Sequence, residues 1–458
     1  LENQVNHTAI TTSILPNSSL QCPKCGCGEF TDNTTSLDCA QCYQSYPQLK
    51  FGNISIPFVF ADVNAAVHAW FARINGFNQS IDEDIRQINT QLKDKRLSKL
   101  TRDRLKRFST LKKQYHRQIA DHLDCFSQFT LDQYAYSNNE VAKNQGIDSY
   151  IDNIFRDWCW DNGENEALLE SVSGLVQEEY HAGDVLALGA GASRFPYDFH
   201  TRYDAKHSVL LDINPVLLGC AAKIIHGQTV TLNEFPVAPL TMQDSAVVQE
   251  CKFDSVNKHQ FSFLLSDALN APLKEKSFDT ILTPWFIDII PMDFREFIPH
   301  VNRLLKSGGT WINTGSLAFL HSNQHWNYSE EEVVDLLKKY GFDEVKTSRS
   351  KVDYLNSPHS AHGRIEDIFS FSATKKFDCR PKKEFNYLPE WINDHEMSIP
   401  AEAELIAASS THLLQAQVLS AIDGERSIIE IARLLARQYE MTEQSALAAV
   451  RQILIDNS

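Results

Sequence analysis

GDVLALGAGASRF, residues 183–195, decides how the rest of the chain is read. DVLALG is apolar almost throughout, as a buried strand is. Gly189-Ala190-Gly191 then makes a tight turn, and a helix begins. A turn of this kind lets a nucleotide-like ligand approach the backbone.

Working outward, SVLLDINP is a second strand, ending in Asp212 roughly twenty residues after the turn. A carboxylate there can accept hydrogen bonds from both ribose hydroxyls of an adenosine ligand. A third strand, FSFLLSD, ends in Asp267, which can accept from an adenine amino group. ALNAPLKEKSFDTIL runs through a loop into a fourth strand, and HVNRLLKSGGTWINTG reads as a helix, a Gly308-Gly309 turn and a strand. Strands and helices alternate from about Gly146 to Lys375, which predicts a parallel sheet. Ligands in open α/β sheets sit at the carboxyl ends of the strands, so Gly189 and Asp212 share one rim. The alternative for Asp212 and Asp267 is a cap on a strand end or a helix.

The chain has 458 residues, enough for several domains, and a formal charge of -16 that argues against a general nucleic-acid binder. No apolar run is long enough to span a bilayer, so no membrane role is expected. Ten cysteines in a chain this long do not suggest a disulfide scaffold, and their usage fits a reducing cytosol; a cytoplasmic protein is the expectation.

Four of the cysteines have metal-ligand spacing. Cys22-Pro-Lys-Cys25 and Cys39-Ala-Gln-Cys42 can turn four thiolates onto one structural Zn²⁺. Cys27 is an additional candidate ligand, and reduced, unliganded thiols are the alternative. CPKCG…LDCAQCYQSYP resembles the zinc ribbon of the small activator subunit of tRNA and protein methyltransferases. Four regions follow: a zinc ribbon over 1–60, a helical segment over 61–147, an α/β domain over 148–375 and a C-terminal domain over 376–458. The C-terminal region begins in a charged, proline-containing stretch, KKFDCRPKKEF, which reads as a linker.

The strand order and the pair SDALNAPLKEKSFDTIL and RLLKSGGTWI resemble class I S-adenosylmethionine-dependent methyltransferases, whose sheet is Rossmann-like. Most of these have an acidic residue two positions before the first glycine, where this chain has Ala187. Carnosine N-methyltransferases also lack it. IFRDWCWDNGENE, GAGASRF, WFIDII, LLKSGGTWINTGSLAF and YLNSPHS are similar to segments of that family. The resemblance implies an enzyme that uses S-adenosylmethionine to methylate an imidazole nitrogen of a histidine-containing small molecule or peptide. It implies a cofactor set of Arg156, Gly189, Gly191, Arg194, Asp212, Ile213, Asp267, Ala268 and Pro284, with Arg194 on the methionine carboxylate. It implies catalytic roles for Asp288, which would hold one ring N–H, and for Asn313, His321 and Tyr354, with Phe319 and Tyr354 as aromatic walls. The family's Gly-Pro-Leu-Leu-Tyr-His becomes Gly315-Ser-Leu-Ala-Phe319-Leu320-His321, so the histidine stands one residue late, and His325 is a second candidate. Asp288 also reads as a helix N-terminal charge, and His321 as a surface histidine.

THLLQAQVLSAIDGERSIIEIARLLARQYEMTEQSALAAVRQILI holds three helices, the first ending at Gly424 and the second starting at Ser427. It resembles the PqqD-like (winged-helix) fold, which implies a bound peptide or carrier protein; a docking module is the alternative. The Lys/Arg-rich helices around Lys93 to Lys113 leave an RNA methyltransferase open, against the overall charge. A noncatalytic cofactor-binding scaffold is the third possibility.

Overall fold

A computed structural model describes residues 19–130, 134, 146–254, 258–321, 323–382, 384–387, 398, 403–423 and 426–456. The chain forms two compact units, Leu1–Tyr387 and Leu388–Ser458.

The first unit opens with an antiparallel four-stranded sheet of β1 (Phe30–Asn33), β2 (Ser36–Cys39), β3 (Ser45–Phe51) and β4 (Ile54–Pro57). Two long helices follow, α1 (Val63–Gln91) and α2 (Lys99–Leu123). Asp62 and Ser98 start them by accepting from the free N–H groups of Ala65 and Thr101. Trp70, Phe77, Ile81 and Ile88 on α1, and Leu105, Leu111, Tyr115 and Ile119 on α2, form their buried stripes. The sequence offers Ile85, Ile88, Leu92, Leu97, Leu100 and Leu105 as one series at roughly helical intervals; Ile88 and Leu105 are buried, Leu100 is exposed, and the series crosses the break between α1 and α2.

Short helices α3 (Asp152–Trp158) and α4 (Glu164–Ser173) lead into β5 (Asp184–Leu188). The alternation continues through α5 (Arg194–Arg202), β6 (His207–Asp212), α6 (Pro215–Ile225), β7 (Val230–Glu234), β8 (Val247–Cys251), β9 (Phe261–Leu265), β10 (Phe278–Pro284), α7 (Phe294–Leu304), β11 (Leu305–Thr314), α8 (Glu330–Lys339), β12 (Phe342–Tyr354) and β13 (Arg364–Lys375). The central sheet has the order β12-β13-β11-β10-β5-β6-β9. β11, β10, β5, β6 and β9 run parallel, while β13 is antiparallel to both of its neighbours. Leu186 sits between Ile281 and Val209, and such central residues are buried on both faces. After β5 the chain builds outward to β9, then returns to the other side of β5 with β10. That reversal opens a crevice at the carboxyl ends of β5 and β10.

Several features were not read from sequence. Gly308 and Gly309 are a bulge inside β11 rather than a separate turn: the pairing with β10 shifts register there, and Gly308 has φ +77°. β7 and β8 form a separate antiparallel hairpin inserted before β9. The ribbon is not a free module: Phe58 bridges Leu265 in parallel, and Val59 N–H donates to the Leu265 carbonyl at 2.9 Å. This covers part of the open β9 edge. The stretch read as a linker is docked on the same unit. Cys379 N–H donates to Asn302 and Phe385 N–H to Asn270, each at 2.9 Å. Cys159 and Cys251 form a disulfide, against the expectation of free thiols.

The second unit contains α9 (Ala403–Ser420), α10 (Ile428–Gln438) and α11 (Glu443–Asp456), three helices as expected. Ser427 starts α10 with a reciprocal bond to Glu430. Gly424 lies outside the described residues. Of the apolar series read from the sequence, Val418, Ile431 and Leu435 are buried, whereas Leu413, Leu419, Ile422, Ile428 and Leu434 are exposed.

Candidate active site

A cavity of about 610 Å³ occupies the crevice between the ends of β5 and β10. Its floor is the turn after β5. Gly189 and Gly191 have φ +65° and +54°, where side chains are disfavoured. A Cβ on Gly189 would also stand 2.2 Å from the Phe286 ring. Gly191 N–H donates to Asp212 Oδ2 and Asn214 N–H to Asp212 Oδ1, both at 2.7 Å. Asp212 therefore caps the turn and lines the cavity at once. Burial raises its pKa, against the pull of the backbone donors.

Asp267 closes the next strand end. It accepts from Leu269 N–H at 2.9 Å and lines the cavity. Burial pushes it up to about 6, partly offset by hydrogen bonds from Leu269, Tyr387 and Asn270. Ile213, Ala268 and Pro284 line the same space.

The far end is built from β10, β12 and β13. Trp285 has φ +51° directly after β10, and its ring meets Tyr354 edge-on with centroids 4.5 Å apart. Asp288 and Tyr354 both line the cavity. Burial pushes Asp288 up to about 6, with a hydrogen bond from Ser316 acting in the opposite sense. Asn153 Oδ1, Trp285 Nε1 and Asp288 Oδ1 are buried without a hydrogen-bond partner, and all three residues line the cavity. Buried polar atoms are normally satisfied, so three unpartnered ones on residues that line one cavity are exceptions in this fold.

Glu164, at the start of α4, holds the end of β12. Its two carboxylate oxygens take the N–H groups of Leu355 (2.7 Å) and Asn356 (3.2 Å). Leu355 has φ +52°, so this corner depends on the buried carboxylate for its shape. Glu164→Ala is expected to lower stability by about 2–3 kcal/mol in urea unfolding, with Glu164→Gln losing less because it keeps one acceptor. Equal losses would show that the bonds to this corner do not matter.

Three residues that the resemblance implies for the site have other partners in the structure. Arg194 lines the cavity, but its Nε is held by Asp198 at 2.8–2.9 Å and its Nη1 by the Asp157 carbonyl at 3.0 Å. Asn313 lies in β11, 1% exposed, with its amide against Thr283 Oγ1 at 2.8 Å on the facing strand. It does not line the cavity, and neither does His321. The His321 main chain is tied to the Asn327 amide by two hydrogen bonds, and its ring lies against Phe319 and Trp326. Leu320 reaches the cavity in its place. Phe319 is packed into the core, not the cavity wall, and His325 does not line the cavity. Arg156 does line it, with Nε and Nη2 on Asp157 Oδ1 at 2.7 Å each.

Asn153, Ser316, Arg364, Glu366 and Tyr387 were missed. Arg364 and Glu366 share a strand face by their i, i+2 spacing, but nothing in the sequence says that this face meets Asp288.

Away from the cavity, the Sγ atoms of Cys22, Cys25, Cys39 and Cys42 all lie within 4.8 Å of one another. Cys22–Cys42 and Cys25–Cys39 are 3.7 and 3.5 Å apart. A tetrahedral zinc with Zn–S bonds near 2.3 Å has S···S edges of about 3.8 Å, so the four residues fit a zinc ion.

The family model described as carnosine N-methyltransferase matches residues 225–376. A carnosine N-methyltransferase from Dictyostelium discoideum is 33% identical over 90 residues, 19% of each chain. The chain thus spans about a fifth of the curated relative it matches. Among solved structures, an S-adenosylmethionine-dependent methyltransferase from Thermotoga maritima is 19% identical, with 50% of this chain and 97% of that one covered and a TM-score of 0.31. Phosphoethanolamine N-methyltransferase 2 from Haemonchus contortus is 14% identical, with 51% and 57% covered and a TM-score of 0.33.

Proposed function

We propose that the protein is an S-adenosylmethionine-dependent N-methyltransferase acting on an imidazole nitrogen of a histidine-containing small molecule or peptide. The observation that carries this reading is the pair of buried carboxylates, Asp212 and Asp267, at successive strand ends beside the glycine turn. Asp212 would take the two ribose hydroxyls and Asp267 the adenine amino group. Gly191, with nothing within 4 Å of where a Cβ would stand, leaves the backbone open to the sugar and the sulfonium arm, while the absent side chain of Gly189 makes room for the Phe286 ring. When bound, the cofactor supplies an electrophilic methyl group. The rest falls to the chain: orientation, exclusion of water, and placement of one proton.

Asp288 has the geometry for that last task. Its Oδ1 has no hydrogen-bond partner, and the residue lines the cavity together with Tyr354 and Ser316. A carboxylate accepting one ring N–H leaves the lone pair of the other nitrogen free to attack, and it stabilises the cation that develops. Neutral imidazole is already a competent nucleophile near pH 7. The match to the carnosine N-methyltransferase model over residues 225–376, which include Asp288 and Tyr354, supports the imidazole assignment.

In the same reading, the four cysteines hold a structural zinc, and the C-terminal helices hold a peptide or carrier protein, as a PqqD-like domain would. Metal analysis of the purified chain should return about one zinc per molecule, and Cys25→Ser should remove most of it, since a closed four-thiolate site needs every ligand. Full zinc content in the variant would rule this set out.

Calorimetry with S-adenosylmethionine and S-adenosylhomocysteine, followed by mass spectrometry of carnosine and histidine peptides after turnover, tests the function. Cofactor binding and a gain of one methyl group on the imidazole are expected. Methylation of RNA alone, or binding without transfer to any acceptor, would refute it.

A further inference from the structure

Three arginines line the cavity, each with its Nε paired to a carboxylate. Arg156 is bound to Asp157 through both Nε and Nη2. Arg194 is bound to Asp198 and to the Asp157 carbonyl. Arg364 differs. Its Nε is paired with Glu366 Oε1 at 2.8 Å, and its guanidinium carbon sits 4.2 Å from the centre of the Tyr354 ring. Its outer nitrogens have no recorded partner among the described residues, and 57% of the side chain is exposed. No lysine or histidine lines the cavity among those residues. Arg156 Nη1 and Arg194 Nη2 also lack a recorded partner, but those side chains are only 11% and 18% exposed, so Arg364 is the most accessible cation of the three.

Its position is set by a chain of contacts. Arg364 N–H donates to Asn356 Oδ1 at 2.8 Å. Asn356 is held in turn by Glu164, through its N–H, and by Asn162, through its carbonyl. A Cβ on Gly363 would stand 2.4 Å from Asn356 Oδ1, so a larger residue there would displace the side chain that accepts from Arg364 N–H. Glu366 fixes the Nε edge and the Tyr354 ring fixes the plane, which leaves the Nη edge pre-organised for a planar anion. Asp288 lines the same cavity. A ligand spanning both groups presents a hydrogen-bond donor at one end and an anion at the other.

We propose that Arg364 binds a carboxylate of the acceptor substrate, so that the protein selects acceptors carrying an anionic group beside the ring to be methylated. This rests on the imidazole reading for the identity of the ring, but not for the role of the arginine. The S-adenosylmethionine carboxylate is the competing occupant, and the test separates the two.

The full chain, loaded with S-adenosylhomocysteine, is titrated by calorimetry with carnosine and with β-alanylhistamine, the same molecule without its carboxylate. Carnosine is expected to bind at least about 10-fold more tightly. Arg364→Gln should bring the two ligands within about 3-fold of each other, Arg364→Lys should restore part of the difference, and both variants should keep the parent affinity for S-adenosylhomocysteine. A tripeptide amide whose sole carboxylate is an aspartate side chain after the histidine shows whether a terminal or a side-chain carboxylate is preferred. Equal affinities in the parent, no binding of either ligand, equal weakening of both in Arg364→Gln, or loss of S-adenosylhomocysteine affinity in the variants would each overturn the proposal. Preferential binding of carnosine with no methyl transfer would instead overturn the imidazole reading and leave the role of Arg364 standing.

Discussion

Asp212→Ala is expected to weaken S-adenosylmethionine binding by at least about 100-fold. The carboxylate is buried at the end of β6, and its two oxygens already hold the N–H groups of Gly191 and Asn214. The remaining lone pairs are those a ribose diol would use. Each hydrogen bond to a charged group contributes about 1.5–3 kcal/mol, so losing two exceeds a factor of 100 before any change in the turn is counted. The variant also leaves Gly191 N–H without its acceptor, and some loss of stability accompanies the loss of affinity. Asp212→Asn separates these effects, because its carbonyl oxygen can still accept from one backbone donor. Calorimetry on both variants, with melting curves to confirm folding, reads the outcome. A folded Asp212→Ala protein with parent-like affinity would remove the sugar from this rim.

The second large effect concerns Asp288. Asp288→Ala should lower kcat about 100-fold or more, with affinity for S-adenosylhomocysteine unchanged, because a positioned group that stabilises developing charge has an effect of that order. The pH profile carries a more specific signature. Burial pushes Asp288 up to about 6, so the carboxylate needed to accept the ring N–H is lost as pH falls through that value. The acceptor imidazole gains a proton near pH 6.5 and stops being a nucleophile. Activity is therefore full above both values, and below about pH 6 kcat/KM should fall towards two decades per pH unit. Asp288→Asn removes one of the two protons, and its acid limb should approach one decade per unit. Identical limbs in parent and variant would place Asp288 outside the reaction.

Local chemistry was enough to read the floor of this site. DVLAL, SVLLD and FSFLL are apolar runs that only a doubly covered sheet buries, and each is followed by a polar or glycine residue at its end. That ordering placed Gly189 and Asp212 on one rim; in the structure both line the cavity, and so does Asp267. The substrate end resisted the same reading. The resemblance implies that Asn313 meets a ligand, but its register opposite Thr283 uses the amide between strands. A one-residue shift sent Leu320 rather than His321 to the cavity. In an irregular segment, side-chain direction follows from packing, here the two bonds between His321 and Asn327.

What the amino-acid order determined by itself was local: the apolar runs of the strands, the glycine turn, the carboxylates at consecutive strand ends, and the paired cysteines. Each depends on neighbours a few residues away, and short-range backbone preferences act over that distance. Only the tertiary structure decided which distant groups share a space. It brought Glu164 to Leu355, Arg364 to the cavity that holds Asp288, Tyr387 to Asp267, and the ribbon to the edge of β9. Those meetings depend on strand order and on how buried polar groups find partners across the whole fold, and no short window of residues contains that information.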